Sequence, residues 1–179
     1  MALRLGIGCS ILVILLAGCS IFSPTPEAMM ARPDDFSLQY EWREGSLPPP
    51  YHYEYTISIA PDGRGQVVMV PDYPSDKVPT WTETFTLQPA QLDTLYQSLV
   101  EQGLFRQSWR AQDNPPVGGS SQSLVITAQG KTVVLPAYVL TEQEAAAGEI
   151  YAAVMALVPK PIWDKLNAQR EQYVQEHKG

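Results

Sequence analysis

The chain has 179 residues, enough for one ordinary domain that can bury a sizeable core. It carries 12 Lys and Arg against 19 Asp and Glu, for a net charge of −7, and the basic residues form no cluster. This composition argues against binding to nucleic acid or to anionic lipid head groups, both of which need basic patches.

The first eighteen residues have the organisation of a signal peptide. Arg4 precedes an apolar run from Leu5 to Leu16, which is shorter than the ~20 residues that a membrane-spanning helix needs. The run leads into Leu16-Ala17-Gly18-Cys19, which resembles the lipobox of bacterial lipoproteins. An uncleaved N-terminal anchor is the alternative interpretation. The resemblance implies cleavage before Cys19, a diacylglyceryl group on its sulfur and often a further acyl chain, such as palmitate, on its new amine.

The same resemblance implies a protein that is anchored by its lipid in the cell envelope, outside the cytoplasm. Ser20 stands where an Asp often retains such proteins at the inner membrane, so the outer membrane is expected if the cell is diderm. Residues 19–34 contain Pro and small residues without periodicity, which indicates a tether. Residues 35–179 are predicted to form a single globular domain, monomeric and without thiols, since Cys9 and Cys19 lie outside it.

Alternation of apolar and polar residues predicts four strands in the first part of the domain. They cover residues 36–42, 51–59, 66–70 and 81–87. Pro61-Asp62-Gly63 is typical of a turn and predicts that the second and third strands form a hairpin.

Helical spacing follows. Leu92, Leu95 and Leu99 predict a helix from about Pro89 to Gln102. Residues 124–135 predict a second hairpin, Thr141-Glu142-Gln143-Glu144 a capping box that opens another helix, and Trp163 to Tyr173 a last helix. This order predicts an α+β fold, in which an antiparallel sheet of about six strands has helices packed on one face.

The sequence shows no catalytic, metal-binding or cofactor-binding constellation. The chain has two histidines: His52 falls on the polar side of a predicted strand, where we expect it to be solvated, and His177 lies close to the C-terminus. The glycines in Gly118-Gly119-Ser120-Ser121 precede a strand rather than a helix, which favours a flexible loop over a phosphate-binding one. Carboxylate pairs remain conceivable, but no spacing singles one out.

Aromatic residues are the most suggestive candidates for a binding surface. Tyr51 and Tyr53 share a strand face with Tyr55, and this face continues into two isoleucines, which favours a position in the core for most of it. Tyr51 and Tyr53, nearest the three consecutive prolines, are the best candidates for exposure. Together with Trp81 and Trp109 they form the predicted binding surface.

The stretch from Tyr51 to Phe105 resembles a half-domain of emfourin-like metalloprotease inhibitors and of some small exported domains. It has two strands joined by an Asp-Gly turn, a threonine-rich strand and a leucine-patterned helix that closes on Gly-Leu-Phe. Gly45-Ser46-Leu47 and three prolines stand where the emfourin pattern has a double glycine. No inhibitory residue can therefore be transferred to this chain.

These observations predict a non-catalytic envelope protein that binds a protein or peptide partner, as an inhibitor or an assembly factor. Two long loops rich in Pro and Gly support this, because functional contacts often lie on such loops. The alternative is a carboxylate-dependent hydrolase or a glycan-binding module that uses the tyrosine strand. Convergence of two carboxylates in a cleft beside exposed aromatic residues would favour the alternative.

Overall fold

A computed structural model describes residues 31–178, which form a six-stranded antiparallel sheet and three α-helices. The signal peptide and Cys19 lie outside the described residues. The elements are β1 (Ser37–Arg43), β2 (Glu54–Ile59), β3 (Arg64–Val70), β4 (Trp81–Thr86), α1 (Pro89–Glu101), β5 (Ser121–Ala128), β6 (Lys131–Leu135), a 3-10 turn (Thr141–Gln143), α2 (Glu144–Met155) and α3 (Lys160–His177). The predicted α+β class is confirmed.

The sheet has the strand order β4-β3-β2-β1-β5-β6. The two predicted hairpins are present as β2–β3 and β5–β6. β1 lies in the middle, where Tyr40 is opposite Ile57 of β2 on one side and Leu124 of β5 on the other. The first strand of the domain therefore joins two halves of the sheet that are distant in sequence.

The core lies between one face of this sheet and the helices. Alternate strand residues are buried on that face, and Leu92, Leu95 and Leu99 of α1 are buried as their spacing predicted. The buried strand residues include Leu38, Tyr40, Ile57, Ile59, Val67, Met69, Leu124 and Ile126. The residues between them in the strands are mostly polar and form the open face of the sheet.

The β2–β3 turn shows why its sequence contains Asp-Gly. The Asp62 carboxylate accepts a hydrogen bond from the Arg64 N–H at 3.1 Å. Gly63 has φ +86°, and a Cβ there would lie 2.5 Å from the Leu87 carbonyl oxygen. A side chain at this position would be both strained and blocked.

Within β3, Gly65 lies opposite Phe85 of β4. A Cβ at Gly65 would be 2.4 Å from the nearest ring atoms of Phe85, and the three nearest atoms all belong to that ring. The half-buried ring of Phe85 thus fills the space that a side chain at Gly65 would occupy.

Asp35 fastens the β5–β6 turn to the start of β1. Its two carboxylate oxygens accept hydrogen bonds from the N–H groups of Gln129 and Gly130, at 2.7 and 2.6 Å. These bonds, that from Gly130 first, lower the pKa of Asp35, because they favour the charged carboxylate.

Tyrosines from three elements meet in the core. The Tyr40 ring lies 6.1 Å from that of Tyr55 and 5.6 Å from that of Tyr151. Burial raises the pKa of Tyr55 and of Tyr151 to about 12 in each case, and it raises that of Tyr40 further. The neutral phenol is therefore the stable form of all three groups in the folded protein.

The predicted capping box at residues 141–144 is not formed. This segment is a 3-10 turn followed by α2, and neither start has a side-chain cap. The Glu144 carboxylate instead accepts a hydrogen bond from the Gln112 amide at 3.0 Å, and the buried Gln143 amide bonds to the backbone of Ser108 and Arg110. These side chains attach the preceding loop to the helix, and that role competes with capping.

Among residues 31–178, no single helix has the length and apolar composition to cross a membrane. Residues 141–155 and 160–177 have the required length and composition only when taken together, and a 95° bend separates the two segments. Ile150, Val154 and Leu166 of this pair are buried in the core.

Candidate functional site

Three loops meet at one end of the sheet: residues 44–53 between β1 and β2, 71–80 between β3 and β4, and 115–120 before β5. We call them together the loop-end surface. The Tyr73 hydroxyl donates to the Leu47 carbonyl at 2.9 Å, which joins the first two loops. Gly45 approaches Gly119 so closely that a Cβ on Gly45 would lie 2.8 Å from the Gly119 backbone, so the third loop packs on the first.

Exposed apolar side chains concentrate on the loop-end surface. Seven large apolar residues of the described chain are exposed, and four of them lie here. Leu47, Tyr51 and Tyr73 are 42%, 45% and 44% exposed, and Val117 is fully exposed. Such a concentration on loops is typical of an interaction surface rather than of scattered surface residues.

The second loop is held by a buried carboxylate. Asp72 is 7% exposed; one oxygen accepts from the Tyr73 N–H at 2.7 Å and the other from the Tyr173 hydroxyl of α3 at 3.5 Å. Burial, and then the nearby charge of Asp72, raise the pKa of Tyr173. The exposed ring of Tyr73 therefore projects from a backbone that is anchored to α3.

A cleft of about 460 Å³ opens in the loop-end surface. Glu44 and Glu54 both line it, beside the exposed ring of Tyr73 and the glycines at 118–119. Glu54 pairs with Arg43 at 3.4 Å, and Glu44 accepts the Gly45 N–H at 2.9 Å. Both carboxylates are thus engaged as acceptors.

His52 lies in this cleft, and the prediction that it is solvated is wrong. It is 5% exposed, with its ring stacked on that of Tyr73 at 3.9 Å and 4°. The error arose because β2 begins at Glu54, so the strand alternation does not extend to His52. Nδ1 lies 3.3 Å from the Gly45 carbonyl, which can only accept. In the neutral ring Nδ1 therefore carries the proton, and Nε2 is left as an acceptor.

The structure brings two of the four predicted binding residues together. Arg170 of α3 donates to the Tyr51 carbonyl at 3.4 Å, and its guanidinium lies 3.8 Å above the Tyr53 ring. Tyr53 is half-buried against Trp42, at 4.6 Å between ring centroids. Burial raises its pKa, and the charge of Arg170 opposes this shift. Tyr51 presents its ring to solvent, whereas the Tyr53 ring is half-buried.

Trp81 and Trp109 have mainly structural contacts. Trp81, at the start of β4, packs edge-on against Tyr173 at 6.4 Å. The Trp109 ring is half-buried against the core, and its N–H donates to the Leu104 carbonyl at 3.0 Å. Sequence reasoning missed Leu47, Tyr73 and Val117. The sequence feature that could have identified them is an apolar residue within a predicted loop rich in proline and glycine.

Residues 31–178 contain no group of three or more His, Cys, Asp or Glu side chains that could hold a metal ion. No protein-family model and no curated protein matches this chain. The arrangement of the loop-end surface is therefore the basis for a functional proposal.

Proposed function

We propose that this chain is a non-catalytic, lipid-anchored envelope protein whose loop-end surface binds a protein or peptide partner. The observation that carries the proposal is the concentration of Leu47, Tyr51, Tyr73 and Val117 on three connected loops. Exposed tyrosines are frequent anchors of protein interfaces, and Leu47 and Val117 add exposed apolar area on the same loops.

The loops are held in place before any partner arrives. Tyr73 is fixed through its hydroxyl by Leu47 and through its backbone by Asp72, and the Tyr51 backbone is fixed by Arg170. A surface that is ordered in advance loses less conformational entropy on binding, which favours affinity. An inhibitor or an assembly factor would use such a surface in the same way.

Photo-crosslinking tests the partner-binding part of the proposal. A photoreactive amino acid is placed at Tyr73 or Val117 in the cell that makes the protein, and at Val125 or Val134 as controls, since both valines are exposed on the open face of the sheet. We expect one discrete protein adduct from both loop positions, and the adduct from position 73 should be lost in Val117→Asp and kept in Val134→Asp. Equal adducts from all four positions, or none, would contradict the proposal.

Lipid attachment rests on Leu16-Ala17-Gly18-Cys19. Several acyl chains together anchor a protein firmly, because each buried methylene contributes about 0.8 kcal/mol. Cys19→Ala should leave an unprocessed precursor without lipid, which membrane fractionation and mass spectrometry of the N-terminus would detect. A mature wild-type protein that is free of lipid would refute the anchoring.

The second candidate function is a carboxylate-dependent hydrolase or glycan-binding module, and the cleft gives it one supporting observation. Glu44 and Glu54 line it together beside the exposed Tyr73. Hydrolysis would need one carboxylic acid as a proton donor, whereas both groups act as acceptors of charged or N–H donors. Loss of a glycosidase activity in both Glu44→Gln and Glu54→Gln would favour this candidate.

A further inference from the structure

A second cleft lies on the helix side of the sheet, between the first half of α2 and the start of β5. It has a volume of about 530 Å³, within the range of small-molecule sites. We call it the α2 cleft. Gln122 of β5 and the buried Tyr151 of α2 line it, and it adjoins the cleft of the loop-end surface, because Tyr138 lines both.

Eight polar residues and five apolar or glycine residues line the α2 cleft. The polar side chains are three amides, four hydroxyl groups and the carboxylate of Glu144, without a Lys, Arg or His. An anionic ligand would meet no opposite charge there. A ligand without hydrogen-bonding groups would leave these polar groups desolvated and unpaired, at a cost in affinity.

Hydrogen bonds fix the direction of the amides. The Gln122 amide oxygen accepts from the Tyr40 hydroxyl at 2.7 Å, so its NH₂ group is the free end. The Gln112 NH₂ group donates to the Val139 carbonyl at 2.9 Å and to Glu144 at 3.0 Å, so its own oxygen is the free end. Among residues 31–178 neither free end has a partner. The cleft therefore presents a fixed donor and a fixed acceptor.

Gly148 leaves the helical wall of the cleft without a side chain. A Cβ at this position would meet no atom within 4 Å, so packing does not require a glycine. A glycine inside a helix destabilises it by about 0.5–1 kcal/mol relative to alanine. Its presence here costs stability and keeps the cleft open.

We propose that the α2 cleft binds an uncharged oligosaccharide. Sugar hydroxyl groups both donate and accept, as the amides and Glu144 require, and the apolar face of a sugar ring can lie against the exposed part of Tyr138. The α2 cleft adjoins the loop-end surface, since Pro116 and Ser120 of the third loop line it, but it contains none of the four exposed anchors of the proposed function. The variants that test it lie in α2 and not in the loops, so the two proposals can fail independently.

Saturation-transfer NMR on the full chain, purified in a detergent without a sugar head group, tests this inference. The probes are chitotetraose, cellotetraose and maltotetraose, with a trigalacturonate as the anionic probe. We expect at least one neutral probe to bind and the anionic probe to give no signal. No binding by any neutral probe would overturn the proposal, as would stronger binding of the anion.

Two variants of α2 locate the binding. Gly148→Leu places a bulky side chain at the helical wall of the cleft and should weaken binding at least about tenfold. Ala152→Leu, one turn along, adds the same side chain at an exposed position outside the cleft and should leave binding unchanged. Gly148→Ala adds only a methyl group to the cleft wall, so it is a smaller change than Gly148→Leu. It should also stabilise the helix. Wild-type affinity in Gly148→Leu would refute the site.

Discussion

The contact between Gly65 and Phe85 predicts a substitution whose effect changes sign with its background. In the wild type, Gly65→Ala places a methyl group 2.4 Å from the Phe85 ring. The ring must then leave its half-buried position, and such overpacking costs about 1–3 kcal/mol. In a Phe85→Ala background the obstructing ring is absent. The same change should then stabilise the protein by about 0.5–1 kcal/mol, because alanine loses less backbone freedom on folding than glycine.

Urea denaturation of the four proteins in this double-mutant cycle measures the effect, with tryptophan fluorescence as the signal. The two estimates have opposite signs, so together they predict a coupling energy of about 1.5–4 kcal/mol, in the upper part of the range for residues in direct contact or above it. Thr84→Ala on the open face of β4 is the control background, since Thr84 lies opposite Gln66 rather than Gly65. If Gly65→Ala had the same sign and size in every background, Phe85 would not be the reason for the glycine.

Three further predictions concern stability. Leu99→Ala, at a fully buried position of α1, should lower the free energy of unfolding by about 2–5 kcal/mol. Glu101→Ala, at an exposed position, should change it by less than about 0.5 kcal/mol. Thermal unfolding of both variants measures the difference, and equal effects would contradict the prediction. Because burial raises the pKa of Tyr55 and Tyr151 to about 12, their contribution to stability is complete below pH about 10 and is lost between pH about 10 and about 12. Phenolate absorbance that rose at about pH 10 in the folded wild type, and was lost in Tyr55→Phe or Tyr151→Phe, would contradict this. Folding lowers the pKa of Asp35. Its contribution to the free energy of unfolding is therefore complete when the pH is above the pKa of Asp35 in the unfolded chain, and is lost as the pH falls through the lower pKa of the folded protein. Asp35→Asn should therefore remove part of the acid dependence of the urea midpoint, and an unchanged dependence would contradict the role of the β5–β6 turn contact.

Local patterns predicted those elements that local interactions determine. Pro61-Asp62-Gly63 indicated the β2–β3 hairpin, since Gly63 requires a positive φ and Asp62 bonds within the turn. The leucine spacing of α1 likewise identified the face that is buried. Strand order could not be predicted in this way, because the pairing of β1 with β5 depends on contacts between distant segments.

The candidate sites were harder to predict, because loops bring their residues together. His52 continued an alternating pattern in the sequence, but in the structure it precedes β2 and stacks on Tyr73 from another loop. Likewise, the pattern at residues 141–144 gave no sign that Glu144 would bond to Gln112, 32 residues earlier. Polar side chains that reach between loops leave no periodic signal in the sequence.

The central position of β1 has a consequence for folding. The Tyr40 hydroxyl in β1 bonds to Gln122, which lies 82 residues further along the chain. When the chain folds as it becomes available from its N-terminus, β2 can pair with one edge of β1 early. The other edge of β1 stays unpaired until β5 is available. Contacts between distant segments slow folding, and an unpaired apolar strand is prone to aggregation. Any factor that accompanies the nascent chain should therefore protect this edge of β1 until β5 arrives.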